Sequence, residues 1–255
     1  MLNETTLTKL RDLKLKSMAE GFNDQLSSTN YEQMTFEERF GLLVDSEWTR
    51  RENSRMDRLF KNATFSISNA CVENIEYHAD RKLDRNLITK LGSCNYINEY
   101  HNVIILGTTG SGKTFLANAL GVAASRKRLT VKYTKLPDLM GELAIAYGEG
   151  RYRKVLKQYT QVKLLILDEY LLLPLRGDEP RFLFDLVDAR YNLGSTIYCS
   201  QFEPNGWHSK IGEPALSDAI CDRIVNNAYS IIVGSKDSES MRRRKGFKET
   251  ETKSH

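Results

Sequence analysis

Eight consecutive residues, Gly107-Thr108-Thr109-Gly110-Ser111-Gly112-Lys113-Thr114, match the pattern G-x-x-x-x-G-K-[ST] in full. Its glycines open backbone conformations closed to other residues, so successive N–H groups can turn onto one anion. The apolar run Asn102-Val-Ile-Ile-Leu106 leads into this loop, and Phe115-Leu-Ala-Asn-Ala-Leu120 leads out with a helical pattern. That order sets the positive end of a helix dipole on the same anion. Lys113 adds a mobile cation for terminal phosphates, and the Thr114 hydroxyl is a natural Mg²⁺ ligand. The chemistry expected of residues Gly107 to Phe115 is the binding of ATP with Mg²⁺.

The second reactive set is Lys163-Leu-Leu-Ile-Leu-Asp168-Glu169. A buried strand ending in two carboxylates delivers them to the crevice where open α/β sheets bind ligands. Asp168 would hold Mg²⁺ through water. Glu169 would polarise an attacking water, which points to hydrolysis rather than transfer to a substrate hydroxyl.

The elements that must position these groups follow from apolar spacing. Thr130–Thr134, Lys163–Leu167, Thr196–Cys199 and Tyr229–Val233 are further β-prone runs, separated by helical patterns at Thr114–Lys127, Pro137–Tyr147 and Arg181–Tyr191. Strands alternating with helices predict an α/β domain, a parallel sheet sandwiched by helices. Before residue 100 the pattern is helical. Leu7, Leu10, Met18, Phe22 and Leu26 predict one amphipathic helix up to the polar break Ser27–Asn30. A second helix starts at Thr35 with Glu38 completing a capping box, its inward face using Phe36, Phe40, Leu43 and Val44. Short helices are expected near 70–78 and 85–91, the latter stopped by Gly92.

The chain has 255 residues, 40% apolar and 27% charged, which excludes disordered, collagen-like and disulfide-scaffold classes. No uninterrupted apolar stretch suits a membrane span, and the charged first 25 residues lack a secretory signal's apolar region. Four cysteines without C-x-x-C spacing argue against zinc and for a reducing cytoplasm. The formal charge is only +4. Its distribution matters more: ten basic residues between Arg126 and Lys163 face only Asp138, Glu142 and Glu149. Lys135, Arg151, Arg153, Lys154 and Lys157 within this run can track phosphates by charge without reading bases, which would give salt-sensitive binding without strong sequence preference.

In this order and spacing, the phosphate loop and the acidic strand are joined by further pieces. These are the opening Leu7–Ala19, the Glu47/Arg50/Arg51/Arg55 region, Thr196–Gln201, Phe202–Trp207, Cys221-Asp222-Arg223-Ile224 and Ser240-Met241-Arg242. Together they resemble the AAA+ ATPases of the DnaA/DnaC clade, and most closely the IstB-type transposition helpers of insertion sequences. The resemblance implies an ATPase domain over 67–245, a small all-α oligomerisation or interaction domain over 1–66, and a disordered tail over 246–255. It implies that Ser200 or Gln201 orients the lytic water and that Arg223 enters a neighbouring subunit's ATP site as an arginine finger. Arg242 would contact the γ phosphate in cis or belong to a solvated basic tail. One departure stands out: Tyr170-Leu-Leu-Leu-Pro174 follows Glu169 where the family often has a glycine.

The function implied is a DNA-stimulated ATPase that assembles with itself, as a ring or spiral, on duplex DNA and directs target selection by a cognate transposase. A DnaC-type helicase loader is the alternative, and a small-molecule P-loop kinase a more distant one. No helix-turn-helix module is expected beyond Arg242, which argues against a DnaA-type initiator.

Overall fold

The computed structural model describes residues 2–234, 240, 241 and 244. Arg242 and the tail 246–255 lie outside the described residues. The chain forms two compact units, residues 1–58 and 59–255.

The first unit holds α1 (Leu2–Asp12), α2 (Lys16–Ser27) and most of α3 (Phe36–Ala63). The single opening helix expected from the periodicity is two helices. Lys14 adopts φ +60°, and the Lys14 and Leu15 amides bond back to Arg11 and Leu10, the double bond that terminates a helix. Lysine in the position that favours glycine left no mark in the sequence. The capping box forms as expected, Thr35 N–H donating to Glu38 at 2.8 Å and Glu38 N–H to the Thr35 hydroxyl at 3.3 Å.

The inward face of α3 differs from the expected one. Leu43 is buried, but Phe36, Phe40 and Val44 are 66%, 49% and 43% exposed. Glu47, one turn beyond Leu43, is only 4% exposed and sets that face instead. Its carboxylate accepts from the Ser17 amide at 3.0 Å, at the start of α2, and from Arg50 and Arg51. Arg50 also donates to the Lys14 carbonyl. One carboxylate thus ties α3 to the α1–α2 corner. Arg50 first, then Arg51 and the Ser17 amide, hold its pKa at about 2 although burial opposes this.

The second unit contains α4 (Arg85–Gly92), α5 (Asn95–Asn98), β1 (Asn102–Leu106), α6 (Lys113–Arg126), β2 (Val131–Lys135), α7 (Leu136–Gly148) and α8 (Tyr152–Thr160). It continues with β3 (Leu164–Tyr170), α9 (Glu179–Arg190), β4 (Ser195–Ser200), α10 (Trp207–Ile211), α11 (Pro214–Val225) and β5 (Ala228–Ile232). The helix expected near 70–78 is only a 3₁₀ turn, Val72–Asn74. All strand pairings are parallel, in the order β2-β3-β4-β1-β5.

Alternate strand residues face opposite sides, so each strand feeds two cores. Val103, Ile105, Leu164 and Ile166 pack with α4 and α6; Ile104, Leu165 and Leu167 pack with α7, α8, α9 and α11. Helix α6 lies close on the sheet: a Cβ at Gly121 would come within 2.7 Å of both Ile166 and Phe65. No helix among the described residues is long and apolar enough to cross a membrane.

Candidate nucleotide site

The loop between β1 and α6 lies at the carboxyl end of the sheet, beside the end of β3. Gly110 and Gly112 take φ +80° and +97°, left-handed conformations that favour glycine and that let successive amides turn onto one anion. Thr108 and Thr109 are exposed at the loop's tip, whereas Ser111 and Lys113 are buried. Lys113 Nζ donates to the carbonyls of Gly107 and Thr108 at 2.7 and 2.9 Å, so its cation lies across the mouth of the loop.

Thr114 and Asp168 meet here, as expected. The Thr114 hydroxyl donates to Asp168 Oδ2 at 2.7 Å, and Asp168 is 4% exposed. A hydroxyl and a carboxylate within one hydrogen bond form a hard, oxygen-only donor pair of the type Mg²⁺ prefers. Sequence reading missed Tyr133, whose hydroxyl donates to the same Oδ2 at 2.9 Å from β2. Only the alternation of β2, which points Tyr133 and β3's carboxylate to one side, could have suggested it. Burial first, with the Asp168 carboxylate beside it, raises the Tyr133 pKa and keeps it a donor.

Glu169 stands next to this pair in an uncommon conformation. Its φ is +53°, that of Leu171 is +52°, and the β3–β4 register shifts between Leu167 and Tyr170. The missing glycine is thus replaced by two left-handed non-glycine residues. The Ser200 hydroxyl donates to the Tyr170 carbonyl at 3.1 Å, and the Tyr170 ring packs edge-on against Tyr198 and Trp207 at 4.9 and 4.8 Å. The Glu169 carboxylate pairs with Lys135 Nζ at 2.8 Å.

The remaining expected residues divide. Ser200 is 1% exposed, and its hydroxyl also accepts from the Phe202 amide and Trp207 Nε1, whereas Gln201 is exposed. Arg223 is not brought to this chain's own loop. It pairs with Asp188 at 3.1 Å, and it shares a small pocket with Tyr100, Asn102, Gly194 and Thr196, at the starting edge of the strands. Phe115 lines a cavity of about 370 Å³ with Gly110, Gly112, Lys113 and Thr114. Of its other walls, Met241 belongs to the Ser240–Arg242 piece, whereas Ile67, Asn74, Glu76 and Arg81 come from a segment carrying no motif.

The basic run also separates. Lys135 is held by Glu169, and Arg151 pairs with Glu149. Helix α8 buries Val155 and Tyr159 and exposes Arg153, Lys154 and Lys157 on its other side.

The profile of the IstB-like ATP binding protein family matches residues 8–249. The chain belongs to that family. A relative in Sinorhizobium fredii, named as an insertion sequence ATP-binding protein, is 37% identical over 245 residues, covering 96% of this chain and 100% of that one. The IS232 ATP-binding protein of Bacillus thuringiensis is 32% identical over 228 residues, covering 89% and 91%. Among solved structures, AMPPCP-bound DnaA from Aquifex aeolicus matches with TM-score 0.56 and 20% identity, covering 68% of this chain and 52% of that one. The DnaC helicase loader matches with TM-score 0.54 and 21% identity, covering 65% and 97%. At these identities the likeness concerns the fold. This IstB-like protein has the AAA+ P-loop fold and is an ATP-binding protein, as the sequence led one to expect.

Proposed function

We propose that this IstB-like protein is an ATPase that assembles on duplex DNA, without strong sequence preference, and directs target selection by its cognate transposase. Hydrolysis then drives disassembly. The observation that supports the reading best is the Lys135–Glu169 ion pair, because it joins a residue of the basic run to the carboxylate that would polarise water. Phosphates competing for Lys135 would release Glu169, and hydrolysis would rise when DNA is bound. The insertion-sequence names of the relatives support a transposase as partner.

In this reading Lys113 and the loop amides of residues 107–114 bind the phosphate chain, and Thr114 and Asp168 hold Mg²⁺. Bound Mg²⁺ would neutralise charge on the phosphate oxygens. Glu169 draws a proton from the attacking water. Gln201 rather than Ser200 orients that water, since the Ser200 hydroxyl is committed inside the protein. Arg223 acts on a neighbouring copy's nucleotide, which agrees with its distance from this chain's own loop. Arg242 is assigned to the γ phosphate by resemblance alone.

Imaging of particles on duplex DNA, with ATPase rates on the same samples, tests this. Lys113→Ala should abolish ATP-dependent assemblies, and Glu169→Gln should form them and retain them. Lys135→Gln should raise the DNA-free rate and flatten DNA stimulation. Assemblies persisting in Lys113→Ala would sink the proposal. Copurification with a replicative helicase would favour a loader instead, a role built on the same core.

A further inference from the structure

The nucleotide cavity extends well beyond the phosphate loop. Its volume of about 370 Å³ suits a whole cofactor rather than a phosphate chain. Beyond the loop residues its wall is made by Ile67 and Phe115, which are apolar, and by Asn74 and Glu76, which offer polar groups, a lining of the mixed kind that a base takes. Between that wall and the loop stands Arg81, 4% exposed although charged.

Arg81 ends a 3₁₀ turn, Ala79–Arg81. Its Nη1 donates to the Glu76 carbonyl and its Nη2 to the Ser111 carbonyl at 3.2 Å. The guanidinium lies so close to the loop that a Cβ at Gly112 would come within 2.9 Å of Nη2. Its backbone is fixed as well, because the Arg81 carbonyl accepts from the Gly234 amide at 2.9 Å and the adjacent Asp80 pairs with Arg244 at 2.5 Å. A planar fork can reach two carbonyls on different segments at once; an ammonium on a flexible stem cannot hold both in fixed directions.

We propose that Arg81 is a positioning residue of the nucleotide site, bridging Glu76 to Ser111 so that the base-side wall and the phosphate loop form one preorganised cavity. This rests on the nucleotide binding of the family. Binding energy is gained when such a wall is fixed before the ligand arrives. Without the bridge, the phosphate end would still bind, but the base would have to order its own wall.

The test uses the full chain and two probes, ATP and inorganic tripolyphosphate, which has the phosphate chain but no base. In Arg81→Lys, which keeps the charge, the Kd for ATP should rise about tenfold while that for tripolyphosphate stays within about twofold. Amide exchange supplies a second readout. In the wild type, tripolyphosphate should slow exchange at 74–81 as well as at 107–114, and in Arg81→Lys only at 107–114. Equal losses for both probes, or no loss for ATP, would overturn the proposal. Should Arg81→Lys fail to fold, the wild-type exchange decides: residues 74–81 indifferent to tripolyphosphate would overturn it too. A wild type that binds neither probe would instead overturn the nucleotide reading beneath it.

Discussion

At the scale of single residues, the turn behind Glu169 decides where a carboxylate points. Left-handed non-glycine residues each cost about 1 kcal/mol or more, and they persist where neighbours over-determine them. Here Leu171 explains why glycine is absent, since its side chain is fully buried in the core beneath the turn. The backbone conformation is held from outside, by the Ser200 hydroxyl on the Tyr170 carbonyl and by Trp207 against the Tyr170 ring. Ser200→Ala should therefore destabilise the fold by about 1–3 kcal/mol, the cost of leaving a buried carbonyl without its donor. It should lower kcat for ATP hydrolysis several-fold while leaving ATP affinity near the wild type, because the phosphate loop is untouched. Melting and steady-state kinetics read both. If KM rose and kcat did not, the clamp would be acting on the nucleotide and not on Glu169.

At the scale of elements, the α/β pattern was legible because burial on both faces writes apolar runs for strands and amphipathic stretches for helices. The observed strand limits differ from the expected ones by three residues at most, as at β3 (Leu164–Tyr170). The phosphate loop, Thr114 and Asp168 were legible because their chemistry demands particular residue types at fixed spacing. Arg81 and Tyr133 were not, because they act through long-range packing that no local pattern records. The basic run was legible as charge but not as geometry. Helix α8 converts it into a row, Arg153, Lys154 and Lys157, lying outside its buried Val155 and Tyr159. If that row follows phosphates, replacing all three by Gln should weaken duplex binding uniformly across sequences. The slope of log affinity against log salt should fall by roughly 2.7, at about 0.9 per lost contact. The fold should hardly respond, since exposed substitutions usually lie within about 0.5 kcal/mol. An unchanged salt slope would remove α8 from the DNA-binding surface.

At the scale of the whole molecule, the two units are built on different physics. The second unit buries two apolar layers, one on each face of its sheet. The first unit, residues 1–58, buries only Ala19 and Leu43 among its described apolar side chains, and so small a domain is marginal without further ties. Its tie is Glu47, which reaches the α2 amide of Ser17 and both Arg50 and Arg51. Because the pKa of Glu47 is lowered from 4.5 to about 2, the folded unit binds its proton less readily than the unfolded chain does. Its contribution to stability is thus fully present above pH 4.5 and is lost as the pH falls towards about 2. Acid should therefore open residues 1–58 before the second unit. Amide exchange between pH 5 and pH 2 should show deprotection of α2 and the first half of α3 while β1 and β3 stay protected. In Glu47→Gln the same helices should be deprotected already at neutral pH, with little further change on acidification, since the titrating group is gone. Simultaneous loss in both units, or a Gln variant as protected as the wild type at pH 7, would show that the helical unit is held by something other than this carboxylate.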